Sequence, residues 1–313
     1  MDGMPATVVF DGSGWDAAGD RQHTLKAPIG CVGIGVHSGR RAQLHLIPAA
    51  PDHGIVFRRV DIGVDIPARF DHVVDTRFCT VLGHAADKRA RVGTVEHLMA
   101  ALSACGVDNA LVEVDGPEVP ILDGSANPYV FLIDCAGRVA QDAPRRVIEV
   151  HRTVRVSDGA AWAELRPAPA RGFEMAMSID FAAAAIGSQA LSVRLTADTF
   201  RRDIALARTF TMAADVERLR ENGLALGGSL DNAVVVDGAR VLNPSGLRRP
   251  DEFVRHKLLD AVGDLALAGS PLQARFVASR SGHTLNNKLL HALFAEPDTT
   301  QDGGSMGAFS QAA

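Results

Sequence analysis

The chain has 313 residues, long enough for two domains of ordinary size, with 47% hydrophobic and 22% charged residues as in a soluble globular protein. Its formal net charge of -5 has no large block of one sign, which excludes a general nucleic-acid footprint. No apolar run reaches membrane-spanning length and the first 22 residues lack the pattern of a secretory signal, so a cytoplasmic location is expected.

Residues 1–22 are rich in Gly, Asp and Ala and read as a flexible leader. Strands are expected from Thr24 to Val32, at Gln43–Ile47, Ile55–Arg59, Thr76–Leu82 and Leu111–Val114, and between the first two the glycine-rich turn Gly33–Gly39 gives a weak phosphate-binding signal. A helix follows Gly93, with Thr94 as expected N-cap and Gly106 as stop. It carries Glu96 and His97, which point about 100° apart on a helix, so that one can ligate a metal while the other faces a reacting centre. A second helix runs from Tyr129 to Ala136.

The composition turns polar between Ala140 and Arg146, where the domain boundary is expected, giving a first domain over 23–140 and a second over 141–296. Strands restart at Val147–Val156 and Ala161–Leu165 around a hairpin turn, and Phe173 to Phe181 alternates strictly. Ala214–Asn222 reads as an amphipathic helix, Ala233–Val236 and Phe276–Ala278 as strands, Leu285–Phe294 as the last helix, and 297–313 as a disordered tail. Four scattered cysteines without CxxC spacing argue against a cysteine zinc site or a disulfide framework.

The informative stretch is the helix expected between Pro250 and Gly269. Val254, Leu258, Ala261 and Leu265 form one apolar stripe, while Leu259, Gly263 and Leu267 flank His256 and Asp260 on the other side, so the helix is expected to be covered twice. At i and i+4, His256 and Asp260 share a face. Alone, such a pair is more often a hydrogen bond than two metal ligands. However, each half of the chain runs strands, a helix with Val-x-His, a strand and a further helix: Val95-Glu96-His97 corresponds to Val254-Arg255-His256, and Ala101 to Asp260. If the halves face each other, His97, His256 and Asp260 meet.

Two histidines and one carboxylate suit Zn²⁺ and leave a position for water, whose pKa the ion lowers toward about 7. Glu96 would take that water's proton, and the alternative is an ordinary first-turn glutamate favoured by the helix dipole. His283 would titrate as a second group, with Asp264, one turn beyond Asp260, orienting its ring.

Five segments carry a resemblance: Thr94-Val95-Glu96-His97-Leu98, Leu122-Asp123-Gly124-Ser125-Ala126, Ala207-Arg208-Thr209-Phe210, Asp251 to Asp260, and Ser281-Gly282-His283 through Lys288. Together, from Thr24 to Ala295, they resemble the UDP-3-O-acyl-N-acetylglucosamine deacetylase family. The resemblance implies a zinc amidohydrolase that removes acetate from the 2-amino group of UDP-3-O-acyl-GlcNAc, the committed step of lipid A synthesis. It implies an α+β fold of two tandem pseudo-repeated domains, with helices layered between sheets and the metal at the domain interface. It further implies His97, His256 and Asp260 as ligands, Glu96 as base, His283 as acid or electrostatic partner and Asp264 as its orienter. Thr209 would bond the oxyanion, Phe210 lie against the sugar, Lys257 stand near the diphosphate, and Asp180 and Phe181 near the uridine. Val216, Leu219 and Leu230 match the wall of an acyl channel. His151-Arg152 stands where many members carry a lysine.

Fe²⁺ in place of Zn²⁺ in the cell is left open, and a monomer is expected. Three rivals differ in what they require. A metallopeptidase-like amide hydrolase shares the constellation, but the chain lacks HExxH. A metal-dependent binding module would close the coordination sphere and tolerate Glu96→Gln. A dehydratase acting on acyl chains would need no zinc.

Overall fold

The computed structural model describes residues 21–84 and 87–295, together with the short strands Val8–Val9 and Thr300–Asp302. A five-stranded sheet and a matching set of five strands within an eight-stranded sheet organise it. In the first, β1 (Ile29–Ile34), β2 (Arg41–Pro48), β3 (Ile55–Arg59), β4 (Val64–Pro67) and β5 (Ala110–Val114) lie in the order β1-β2-β5-β3-β4. Only the β5–β3 pair is parallel. In the second, β6 (Val154–Asp158), β7 (Ala161–Arg166), β8 (Phe173–Asp180), β9 (Ser188–Leu195) and β10 (Leu272–Ser279) lie in the order β6-β7-β10-β8-β9, again with one parallel pair, β10–β8. Strand for strand, the two arrays share one topology: first, second, fifth, third, fourth. The fifth strand reaches the middle of each array only by a long crossover, and in both halves a helix occupies that crossover immediately before it.

Those helices are α1 (Glu96–Ala104), before β5, and α4 (Glu252–Ala266), before β10; α2 (Asn127–Ala136) and α5 (His283–Ala295) follow the fifth strands, and α3 (Ala213–Glu221) belongs to the second half. Helix α1 packs on α2 and α4, α2 on β1, and α4 and α5 on the second array, so the fold is α+β with helices layered between sheets. The apolar stripe Val254, Leu258, Ala261 and Leu265 is fully buried, and so are Leu259 and Gly263 on the opposite side. Both faces of α4 are therefore covered, as its sequence requires. Strand β8 buries Phe173, Met175, Met177 and Ile179 and leaves the alternating residues more accessible, the period-two pattern of a half-covered sheet.

Local structure departs from the sequence expectations in several places. The expected strand from Thr24 to Val32 is two, Arg21–Leu25 and Ile29–Ile34, since Pro28 lacks an N–H for a ladder. Arg21 and Gln22 belong to the first of them, so the expected leader to residue 22 is too long. Within the polar stretch 140–146, residues 140–144 belong to the strand Arg138–Pro144, which pairs antiparallel with Arg21–Leu25. Thr76 to Thr80 is loop, with strands Val73–Asp75 and Val81–His84 on either side, and Asp87–Val92 is a strand where a charged turn was expected. Residues 1–7, 10–20, 296–299 and 303–313 lie outside the described residues, and the expectations for leader and tail fall there; Thr300–Asp302 pairs with Ile148–Val150.

Candidate active site

Helices α1 and α4 cross so that the first turn of α1 meets the middle of α4. The imidazoles of His97 and His256 lie 5.0 Å apart between centroids, at 87° to each other. Asp260 Oδ1 lies 3.3 Å from His256 Nε2 and 3.6 Å from His97 Nε2. All three residues are buried, and their ligand atoms lie within 4.8 Å of one another.

A metal ion fits this group on three grounds. Asp260 Oδ1 is buried with no hydrogen-bond partner, an expense that a cation between it and the imidazoles removes. His256 Nδ1 donates to the Ala207 carbonyl at 3.1 Å, which fixes the tautomer and turns the Nε2 lone pair toward the other two residues. Burial, opposed in part by Asp260, pushes the His256 pKa down to about 4, so the ring is neutral at physiological pH, as a ligand must be. The Asp260 carboxyl is disfavoured by burial, yet His256 and Lys257 outweigh that and hold its pKa well below the usual carboxylate range.

Glu96 begins α1 and is buried, so it is no solvated first-turn glutamate. Its Oε2 accepts from the Thr80 N–H at 3.0 Å. Burial raises its pKa, with His283 and His97 pulling the other way. His283, the first residue of α5, turns Nδ1 toward Asp264 Oδ2 at 2.9 Å. Burial opposes the imidazolium, but Asp264, with Glu96 and Asp260 behind it, prevails and holds the His283 pKa up at about 9.

A cavity of about 360 Å³ is lined by Glu96, His97, His256, Asp260, His283, Thr209 and Phe210. The same wall includes the apolar side chains of Val216 and Leu219 of α3, Leu230, Ile121 and Val235. Thr209 is fixed on both sides, its N–H donating to the Gly124 carbonyl at 2.8 Å and its carbonyl accepting from Val234 at 2.7 Å. The chain before it is clamped by Arg208, buried against Glu252 at 2.9 Å. Phe210 stacks edge-on to Phe253 at 5.0 Å and to Phe181 at 5.5 Å.

Other expected positions lie further off. Lys257 donates to Asp260 Oδ2 at 2.7 Å and does not line the cavity. Phe181 lies behind Phe210, and Asp180 is an exposed residue paired with Arg280 and Ser188. Asp264 stands behind His283 rather than in the wall. Thr94 is not the N-cap: its φ of 58° is left-handed, Val95 caps, and the Thr94 hydroxyl donates to buried Glu118 at 2.9 Å. The sequence reading also missed His37, Phe78, Thr94 and Arg220 in the wall. For His37 a signal existed in the glycine-rich turn, where Glu118 accepts from the His37 and Ser38 N–H groups, both at 2.8 Å; the others carried none.

A group able to hold a cation, a buried carboxylate beside it and a histidine kept cationic by a second carboxylate are the parts needed to add water to an acyl carbon and expel what it was bonded to. The chain is by this combination a hydrolase. A family model described as UDP-3-O-acyl N-acetylglycosamine deacetylase matches residues 22–295, and the chain belongs to that family. It is 54% identical over 280 residues to the UDP-3-O-acyl-N-acetylglucosamine deacetylase of Phenylobacterium zucineum (strain HLK1), covering 88% of this chain and 94% of that protein. Proteins of the same name from Idiomarina loihiensis, 49% identical over 280 residues (88% and 90% covered), and Acidithiobacillus ferrooxidans, 50% over 282 (89% and 91%), are also similar. Among the described residues, no helix is long and apolar enough to cross a membrane.

Proposed function

We propose that this enzyme hydrolyses the 2-N-acetyl group of UDP-3-O-acyl-N-acetylglucosamine, the committed step of lipid A biosynthesis, with Zn²⁺ held by His97, His256 and Asp260. The observation that carries it is the orphaned Asp260 Oδ1 between two imidazoles in the wall of a cavity that is otherwise largely apolar. A closed binding site would not need that cavity. When bound, the metal supplies Lewis acidity to water and to the amide carbonyl.

The residues of the chain do the rest. Glu96, desolvated and therefore more basic than an ordinary carboxylate, takes the proton of the attacking water. As the carbonyl carbon becomes tetrahedral, its oxyanion receives the Thr209 hydroxyl and the charge of the His283 imidazolium, whose Nε2–H is the free one because Nδ1 serves Asp264. The C–N bond then breaks, a proton from His283 passes to the leaving nitrogen, and acetate and a free 2-amino sugar result. Phe210 lies against the sugar, and Val216, Leu219 and Leu230 receive the 3-O-acyl chain, which excludes water from the apolar arm. Lys257 and the Asp180–Phe181 edge beyond Phe210 face the UDP portion, for which Lys257 would have to exchange its bond to Asp260 for a phosphate.

The test is acetate release from a UDP-3-O-acyl-GlcNAc before chelation, after it, and after zinc is restored. Loss and recovery are expected. Release that no chelator touches would remove the metal from the scheme, and no release at all would remove the substrate.

A further inference from the structure

Between Phe78 and Val81 the chain passes through a loop that no motif marks, yet its residue Thr80 is only 2% exposed. Every polar group of Thr80 is used. Its N–H donates to Glu96 Oε2 at 3.0 Å, its Oγ1 donates to Asp264 Oδ1 at 2.5 Å, and its carbonyl accepts from the Val95 N–H at 3.4 Å. Glu96 begins α1 in the first half, and Asp264 lies near the end of α4 in the second. One residue therefore touches the two carboxylates that the base and the acid depend on.

Asp264 receives two further donors nearest its other oxygen, Asn286 Nδ2 at 2.8 Å and His283 Nδ1 at 2.9 Å from Oδ2. A carboxylate can turn about its Cβ–Cγ bond unless both oxygens are held. Asn286 and His283 hold Oδ2, while Oδ1 takes the Thr80 hydroxyl at 2.5 Å and only a longer second contact, 3.2 Å, from the same His283 Nδ1. Asn286 is itself fixed, because its Oδ1 accepts from Ser281 Oγ at 2.8 Å. With Thr80 in place, the plane of Asp264 and hence the aim of the His283 ring are determined. The same backbone that brings the hydroxyl to Asp264 delivers the N–H to Glu96, so the two groups are set at a fixed separation by one rigid residue.

We propose that Thr80 is a positioning residue for the hydrolysis: its hydroxyl fixes Asp264 and through it His283, while its N–H fixes Glu96, so that base and acid keep one mutual geometry across the interface of α1 and α4. This rests on the roles given above to Glu96 and His283. Thr80 does not line the cavity and touches no substrate. Its effect falls on turnover rather than on binding.

The experiment is a double-mutant cycle between Thr80→Val, which keeps the N–H and the shape but removes the hydroxyl, and Asp264→Asn, read as kcat and KM for acetate release by the zinc-loaded enzyme. Thr80→Val is expected to lower kcat about tenfold or more with KM within about twofold, the scale of one hydrogen bond to a charged group. In the Asp264→Asn background the same change should cost less than about threefold, since residues that act through one another do not add. Thr80→Ser, which restores the hydroxyl, should return kcat to within about threefold of the parent. Losses that multiply in the double variant, a Thr80→Val enzyme as fast as the parent, or a Thr80→Ser enzyme as slow as Thr80→Val would each overturn the assignment. If Thr80→Val fails to fold, Thr80→Ala replaces it in the same cycle. Failure of the parent enzyme to release acetate would count against the proposed reaction instead, so the two failures are distinct.

Discussion

Gly263 lies directly against the peptide carbonyl of Glu96: a Cβ placed on Gly263 would stand 1.9 Å from the Glu96 oxygen and 2.7 Å from its carbonyl carbon. No side chain separates α4 from α1 at this point. This contact joins the residue before His97 to the residue three positions after Asp260. Gly263→Ala must push the helices apart and carry His97 away from His256. Overpacking of this kind costs about 1–3 kcal/mol in stability. We expect a lower Tm, weaker zinc retention in dialysis against a chelator, and activity reduced at least about tenfold, since a misplacement of about 1 Å can cost 10²-fold. An alanine variant with the Tm and activity of the parent would refute the close crossing.

Glu96→Gln separates holding the metal from using it. The amide keeps the shape and can still accept from the Thr80 N–H, but it cannot take a proton. Zinc content measured by atomic absorption should match the parent, while kcat falls by about 10²–10⁴, the usual worth of a general base. A variant that retains activity would favour the binding-module alternative.

The pH profile should report His283. Its pKa is raised from the ordinary histidine value to about 9, so the imidazolium persists through neutral pH. Its contribution to stability is complete below the unfolded value of about 6.5 and is lost as pH rises through about 9. Activity that requires the charged ring should fall on the same alkaline limb. Asp264→Asn removes the main attraction and should move that limb of kcat/KM to lower pH; a limb that stays in place would free His283 from the assignment.

Arg208 and Glu252 test the support of Thr209. Glu252 Oε1 accepts from Arg208 Nε at 2.9 Å and from the Arg208 N–H at 3.0 Å, and Oε2 accepts from the Arg248 N–H at 2.7 Å. Burial disfavours this carboxylate, but the Arg208 bonds prevail and hold its pKa below the ordinary glutamate value. The stability it contributes is present above that ordinary value and lost as pH falls through the folded one. Glu252→Ala leaves a buried guanidinium unpaired, and urea unfolding at neutral pH should show about 3–5 kcal/mol lost. A loss below about 1 kcal/mol, the range of an exposed pair, would show the bridge to be dispensable.

Both covers of α4 were legible from periodicity and the shared face of His256 and Asp260 from i,i+4 spacing, whereas the α+β class came with the family resemblance and the meeting of His97 with them from the matched Val-x-His halves. The strict alternation of Phe173 to Ile179 was likewise legible from periodicity. Thr80, Asn286 and Glu118 were not, since their partners lie 184, 22 and 24 residues away and nothing local distinguishes a buried threonine that bonds two carboxylates from one that fills space. Thr94 misled because a threonine before an apolar run usually caps it, whereas here a left-handed backbone turns its hydroxyl toward Glu118. The extra strand Asp87–Val92 escaped because its dense charge looks like a turn until a neighbouring strand at Val81–His84 is there to pair with it.

The shared strand order of the two arrays bears on the direction of the chemistry. Two copies of one topology, meeting helix to helix, would by themselves generate a centre that looks the same from either side, approachable in two opposite orientations. The sequence breaks that equivalence at two matched places: Glu96 stands at the position that Arg255 holds in the other half, and Asp260 at the position that Ala101 holds. Arg255 turns away to Asp251 at 2.7 Å, and Ala101 offers no ligand atom. The matched helices thus carry the paired imidazoles, and the mismatch at these two places gives the centre a front and a back, so that an asymmetric ligand meets it in one sense only.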